Sequence, residues 1–309
     1  MKKIIIITAV LMTMVIIKAE GAFVDTYWGV RALGMGGAFT SVANDSNAPL
    51  YNIAGIANAV QQEVTLMGSR LFTGLEGVEI GANYFGYIHP MANENYGAIS
   101  FAWSSISTPG LRREDTFNAG YARYLNDVMR IDREIVNITG GVNIKYLVQE
   151  VKFDEDDSDL DNSKGAVTGD IGILAQFNNG ISLGYSNKYI TSPDIGFVYE
   201  DKVSNVNVIG ISYYNDMVPV LRIPYFTIAT DILMRDGETS VRVGLETYVI
   251  EGKLAIRAGG REEAFDLGFG YEFVFGNNTK LIIDYALELP MEVEETMGSH
   301  FVGLSFRFD

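Results

Sequence analysis

A period-two alternation of apolar and polar residues, repeated in short segments from Gln62 to the last residue, constrains this sequence more than any other feature. In segment 264–275, one face carries the large apolar residues Phe265, Leu267, Phe269, Tyr271, Phe273 and Phe275. The other face carries Ala264, Asp266, Gly268, Gly270, Glu272 and Val274. This period predicts β-strands. Large apolar side chains opposed by glycines and charges favour a wall with lipid outside and a polar interior.

Fourteen such segments follow one another after residue 61. They are 62–73, 77–89, 95–106, 112–124, 135–152, 165–177, 180–190, 203–214, 223–234, 239–250, 253–260, 264–275, 278–289 and 298–308. A tilted strand needs about 9–11 residues to cross a membrane, and an even strand number returns both barrel ends to one side. We predict an all-β fold in which residues 61–309 form a transmembrane antiparallel β-barrel of about 14 strands.

The connections predict which end of the barrel faces outward. The tightest turns follow even-numbered strands, at 178–180, 251–252 and 276–278. The longest connections follow odd-numbered strands, at 153–164, 191–202 and 290–297. Short periplasmic turns and longer outer loops are typical of such barrels. The medium-length connections 125–134 and 215–222 are exceptions on the periplasmic side.

The first 22 residues predict a signal peptide. Two lysines at positions 2 and 3 precede an apolar run at 4–17, and Ala19, Gly21 and Ala22 offer candidate cleavage sites. The apolar run has 14 residues, fewer than the roughly 20 that a membrane helix needs. We therefore expect export of the chain, removal of residues 1–22 and insertion into the cell outer membrane.

The stretch 23–60 lacks the strand pattern and is predicted to be an N-terminal plug (hatch) inside the barrel lumen. Four of its glycines fall within nine residues, at 29, 34, 36 and 37, and glycine permits close backbone packing. Its apolar residues are too numerous for an exposed tail, and Gly268, Gly270 and Gly303 leave room for it at the wall. The alternative is a glycine-rich loop of a soluble protein.

Residues 31–39 (RALGMGGAF) and 51–57 (YNIAGIA) resemble the start of FadL-like outer-membrane proteins, and the PorV-like proteins of the type IX secretion system share this pattern. In those families the segment is a hatch inside the barrel. Where the families have Asn-Pro-Ala, this chain has Asn52-Ile53-Ala54. The resemblance implies a hatch built on Gly34, Gly36, Gly37, Phe39, Tyr51, Asn52, Ala54 and Gly55.

The strand faces opposite the apolar ones carry charges of both signs. Those predicted to point into the lumen are Asp231, Arg242, Glu246, Arg257, Asp266, Glu272, Lys280, Asp284 and Arg307. Mixed signs indicate salt bridges between plug and wall, or a polar path through the barrel.

Composition excludes several classes of function. A net charge of −16 argues against a nucleic-acid partner. The chain has no cysteine and only two histidines, His89 and His300, so it offers neither disulfides nor a recognisable catalytic triad or metal site. We predict a protein that is not an enzyme and has no cofactor. The acidic run 154–162 is a solvated loop or, less favoured, a Ca²⁺ site.

Three functions remain open, because fold alone does not decide among them. A FadL-like passive channel would let hydrophobic or amphipathic small molecules cross the outer membrane. A PorV-like protein would act in protein secretion or surface attachment through contact with a secretion-system protein. A structural barrel is the third. Each requires outer-membrane lipids and the barrel-assembly machinery as partners. An apolar pocket behind the hatch favours the channel, and a sealed, charged lumen favours the PorV-like role.

Overall fold

The computed structural model describes residues 22–23, 28–77, 79–92, 96–152, 163–218, 223–250, 252–276, 278–293 and 295–309. Within these residues, fourteen strands form one closed antiparallel barrel. They are β1 (Gln62–Arg70), β2 (Gly81–Pro90), β3 (Ala98–Thr108), β4 (Arg112–Tyr124), β5 (Val136–Val151), β6 (Ser163–Phe177), β7 (Ile181–Lys188), β8 (Val206–Val218), β9 (Ile223–Arg235), β10 (Glu238–Val249), β11 (Leu254–Arg261), β12 (Ala264–Phe275), β13 (Thr279–Pro290) and β14 (Ser299–Phe308). The predicted fold class and strand count are confirmed.

Each strand pairs with its neighbours in sequence, and β1 closes the barrel against β14. The closing register runs from Gln62 opposite Phe308 to Arg70 opposite His300. Closure pairs the backbone groups that an open sheet edge would expose to lipid.

Two connections depart from the prediction. β8 runs to Val218 and β9 begins at Ile223, so the strands take up part of the expected 215–222 connection. The 125–134 connection contains a short helix, α3 (Asn126–Met129). The predicted acidic run at 154–162 lies outside the described residues.

The two faces of the wall differ as the alternation predicts. In β12, Phe265 and Phe269 are 42% and 47% exposed, whereas Asp266 between them is 1% exposed. The large apolar side chains therefore point outward, and the charged ones are enclosed. In β14, Phe301 is the exception, because it points inward and is fully buried.

The plug fills the interior with a small core of its own. It contains α1 (Val30–Gly34), α2 (Ala48–Tyr51) and a 3₁₀ helix (Ile53–Asn58). Leu33, Phe39 and Ile56 are buried at its centre, and the Phe39 and Tyr51 rings pack edge to face at 5.4 Å. Burial of such side chains contributes about 1.5–3 kcal/mol each, which explains why this segment folds inside the barrel.

The wall meets the plug through a ring of glycines from ten strands, which we call the glycine collar. It consists of Gly86, Gly120, Gly141, Gly172, Gly184, Gly210, Gly244, Gly259, Gly268 and Gly303. A Cβ atom on Gly259 would lie 2.1 Å from the Gly36 nitrogen, and one on Gly244 would lie 2.4 Å from the Met35 oxygen. At these positions the plug lies so close to the wall that a residue with a side chain would collide with it. Gly270, expected to do the same, faces Asp284 and Arg257 side chains instead.

Candidate functional site in the plugged lumen

The strongest attachment between plug and wall is an ionic cluster around Glu246 of β10. The Arg31 guanidinium in α1 binds both Glu246 carboxylate oxygens, at 2.8 and 2.7 Å, and also pairs with Asp45 at 3.0 Å. On the wall, Arg257 bridges Glu246 and Asp284, each at 2.7 Å. Removing one partner of a buried pair leaves an uncompensated charge and costs about 3–5 kcal/mol. This cluster therefore fixes α1 against β10 and β11.

A second attachment uses backbone donors of the plug. The Asp231 carboxylate on β9 accepts hydrogen bonds from the backbone N–H groups of Phe39 and Thr40, at 3.0 and 2.9 Å. Gly36 and Gly37 precede these residues with φ of 64° and 74°. Glycine adopts this left-handed conformation without a steric penalty, and the turn presents the two N–H groups to the wall.

A third attachment involves Glu63 on β1. Its carboxylate accepts hydrogen bonds from the Ser46 backbone N–H at 3.1 Å and the Ser46 hydroxyl at 2.8 Å. It also pairs with Arg307 on β14 at 2.7 Å. On the neighbouring strand, the Tyr84 hydroxyl donates to the Ser46 carbonyl. The polar groups of Ser46 in the plug are thus satisfied by the wall, as burial requires.

Asn52 and Tyr51 bind backbone carbonyl groups. The Asn52 amide donates to the carbonyls of Thr40 and Ile173, at 2.9 and 3.0 Å, and its side-chain oxygen accepts the Ala54 N–H. The Tyr51 hydroxyl donates to the Trp28 carbonyl at 2.6 Å. Asn52 therefore ties the plug to itself and to β6.

The residues predicted for the site all lie in the interior. The eight hatch residues are buried in the plug: Gly34, Gly36, Gly37, Phe39, Tyr51, Asn52, Ala54 and Gly55. Of the predicted lumen charges, six are buried: Asp231, Arg242, Glu246, Arg257, Asp266 and Asp284. Glu272 and Lys280 pair with each other at 3.0 Å and are partly exposed, and Arg307 is partly exposed beside Glu63.

Sequence reasoning missed Arg31, Asp45 and Glu63, and it missed the pair of Lys145 and Asp170, which are 2.9 Å apart and buried. Arg31 carried a usable signal. A single guanidinium in an apolar, glycine-rich segment requires a carboxylate partner if that segment is buried. Nothing in the sequence indicated which carboxylate is the partner of Arg31, because Glu246 is 215 residues away.

The two ends of the lumen differ in chemistry. At the end with the tight turns, a cavity of about 40 Å³ is lined by charged groups that include Arg31, Glu63 and Arg257. At the outer end, where odd strands finish, an apolar cluster is buried above the plug. It consists of Ala22, Phe23, Leu147, Tyr189, Ile195, Val203, Val206, Val208 and Leu233. An apolar enclosure with few polar groups is the usual setting for a hydrophobic ligand.

Two features are absent from the described ranges of the chain. No helix there is long and apolar enough to cross a membrane. No group of three or more His, Asp or Glu side chains in those ranges is arranged to hold a metal ion.

Solved structures of low sequence identity share this architecture. A FadL homologue of Pseudomonas aeruginosa aligns over 94% of this chain and 100% of its own, with TM-score 0.54 and 12% identity. The toluene transporter TbuX of Ralstonia pickettii aligns over 92% and 99%, with TM-score 0.57 and 11% identity. For the toluene transporter TodX of Pseudomonas putida, the coverage is 92% and 99%, with TM-score 0.58 and 10% identity.

No protein-family model matches the sequence, and the search of curated proteins gave no match. At these identities the structural similarity concerns the fold. The chain therefore has the plugged, fourteen-stranded barrel fold of FadL-type channels.

Proposed function

We propose that this protein is a passive outer-membrane channel for hydrophobic or amphipathic small molecules. The observation that carries the proposal is the apolar cluster at the outer end of the lumen, on the opposite side of the plug from the charged cavity. The Phe23 ring occupies this cluster, so a ligand of aromatic size would enter by displacing it. The structurally similar proteins include two described as toluene transporters, which supports the same class of ligand.

Passage in this proposal requires movement of the plug, because the glycine collar contacts it around most of the wall. The ligand would leave water for the apolar cluster and then pass the plug as its contacts with the wall rearrange. The driving force is the ligand's own concentration gradient, and the described residues supply binding and selectivity. Outer-membrane location, removal of residues 1–22 and assembly by the barrel-assembly machinery are parts of the same proposal.

The PorV-like role in secretion is the second candidate. A barrel that acts only through protein contacts does not need an apolar site inside its lumen. The cluster around Phe23 and Val203 favours the channel, whereas the small charged cavity at the periplasmic end is the feature that the PorV-like role predicts.

Uptake of labelled toluene and of labelled dodecanoate, measured in a strain lacking the protein and in the same strain complemented, tests this function. Val203→Asn places an amide in the apolar cluster, and Val198→Asn makes the same change at an exposed position of the same loop. We expect Val203→Asn to slow uptake by about tenfold, since an unpaired buried amide costs about 1–3 kcal/mol. Val198→Asn should behave as wild type. Equal uptake with and without the wild-type protein, for both probes, would refute the channel.

A further inference from the structure

The backbone nitrogen of Phe23 faces a carboxylate inside the barrel. Ala22 and Phe23 are both buried, in the apolar cluster at the outer end of the lumen. The Phe23 nitrogen lies 2.9 Å from Glu114 Oε2 on β4. Phe23 directly follows the predicted signal peptide, so the start of the plug lies deep in the lumen, beside an acidic group.

Glu114 is well placed to receive a positive charge. Its side chain is 12% exposed and points into the lumen, where its other oxygen, Oε1, pairs with Arg112. A carboxylate with little access to water gains most from donors that are themselves charged. The Oε2 atom meets a backbone nitrogen, which carries a charge only where that nitrogen is the start of a chain.

The conformation at Phe23 is compatible with cleavage of the bond before it. Phe23 has φ of 60°, in the left-handed region that a bulky residue adopts only at an energetic cost. The φ angle exists only while the Ala22–Phe23 peptide bond is intact. Hydrolysis of that bond removes the constraint together with the strain.

We infer that the mature chain begins at Phe23 and that Glu114 is the counter-ion of its α-amino group. Ala22 supplies the small residue that a signal peptidase requires directly before the cleaved bond, while Glu20 stands at the third position before it. Water adds across the Ala22–Phe23 peptide bond: its oxygen goes to the Ala22 carbonyl carbon to form a carboxylate. The Phe23 nitrogen takes up protons to become an ammonium. Processing thus creates the salt bridge that holds the N-terminus in the outer lumen, whether or not the barrel conducts a ligand.

The test uses full-length protein expressed with its signal sequence and purified from outer membranes in detergent. Mass spectrometry of the intact chain identifies its first residue, which we expect to be Phe23. Reductive dimethylation as a function of pH then measures the pKa of that amino group. The Glu114 carboxylate raises the pKa of this amino group, whereas burial and the Arg112 guanidinium lower it. The effect of Glu114 is therefore read from the difference in this pKa between wild type and the Glu114→Gln variant. Labelling should also be at least about tenfold slower in folded than in urea-unfolded protein, since reaction requires local opening.

Glu114→Gln should lower the pKa of this amino group and speed its labelling, whereas Glu150→Gln, at an exposed position of β5, should change neither. A shift of electrophoretic mobility on heating shows that each variant is folded. If Glu114→Gln does not fold, Glu114→Asp, which keeps the charge but shortens the side chain, takes its place and should also lower this pKa. A chain that begins at another residue, or an α-amino pKa that does not change when Glu114 is substituted, would overturn the inference.

Discussion

Adjacent glycines on β11 provide a test of contact between plug and wall at single-residue resolution. A Cβ on Gly259 meets the Gly36 nitrogen at 2.1 Å, whereas the nearest atom to a Cβ on Gly260 is the Ala264 oxygen at 3.6 Å. We expect Gly259→Ala to destabilise the folded protein by about 1–3 kcal/mol, the usual cost of overpacking. Gly260→Ala should stay within about 0.5 kcal/mol of wild type. Urea unfolding in detergent micelles measures both, and equal midpoints would contradict this placement of the plug.

A second residue-scale prediction concerns the outer loop between β7 and β8. Backbone N–H groups of Asp201 and Gly196, followed by the Lys164 ammonium, hydrogen-bond Asp194 and lower the pKa of its carboxyl to about 2. Because the pKa of this carboxyl is lower in the folded than in the unfolded chain, where it is about 3.9, the ionised carboxylate stabilises the loop at pH values above about 3.9. This contribution disappears as the pH falls through the folded-state pKa. NMR titration of the Asp194 carboxyl carbon should give a midpoint near 2.

Lys164→Met serves as the matched variant, because it removes the ammonium that lies 3.1 Å from Asp194. Its midpoint should move upward, toward the ordinary carboxyl value. A wild-type midpoint near 4 would show that these hydrogen bonds do not form in solution.

At the scale of elements, the attachment of α1 to β10 depends on Glu246. Glu246→Gln leaves the guanidinium groups of Arg31 and Arg257 without their shared carboxylate. We expect a loss of about 3–5 kcal/mol in stability, as for other broken buried pairs. When protease is added on the periplasmic side, it should cleave the plug between Gly34 and Asn52 faster in this variant than in wild type.

Glu272→Gln is the control for that experiment. The Glu272–Lys280 pair is partly exposed, and such pairs contribute about 0–1 kcal/mol. Equal cleavage rates in the two variants would mean that the buried cluster does not retain the plug.

The outward face of β12 gives a prediction about depth in the membrane. Phe269 lies in the middle of the strand and Phe275 at its end, and both point outward. Phe269→Arg should cost about 2–4 kcal/mol and Phe275→Arg about 0–1, because a cation is most unfavourable at the bilayer midplane. Reversible refolding from urea into liposomes measures both. Similar costs at the two positions would place this strand face outside the hydrocarbon core.

At the scale of the whole molecule, the repeating strand pattern could be predicted from the sequence. Contacts between residues that are far apart in the chain could not. The faces of Phe269 and Asp266 follow from alternation alone, because side-chain direction in a strand is a local property. The partner of Arg31 does not, since it depends on where the plug sits in the barrel. The apolar cluster escaped prediction for a related reason: Tyr189, Ile195 and Val203 lie in or beside an outer connection, and their burial depends on Phe23 beneath them.

The 23–60 plug was predictable as a compact segment, from its glycines and apolar residues, but its attachments were not. Asn52 illustrates the limit, because its hydrogen bonds go to the carbonyls of Thr40 and Ile173. Carbonyl groups occur at every residue, and the sequence does not indicate which of them the fold leaves available.

The glycine collar also has a consequence for the permeability of the envelope. Ten strands carry a glycine where the wall meets the plug, so few wall side chains narrow the bore at that level and the plug closes it. Deletion of residues 24–58 should therefore give a folded barrel with a large, steady single-channel conductance in planar bilayers, whereas the intact protein should be electrically silent. A cell that made the barrel without residues 24–58 would become sensitive to large antibiotics. In the proposed channel function, a ligand would therefore pass by small rearrangements of the plug, each of which leaves the membrane sealed to ions.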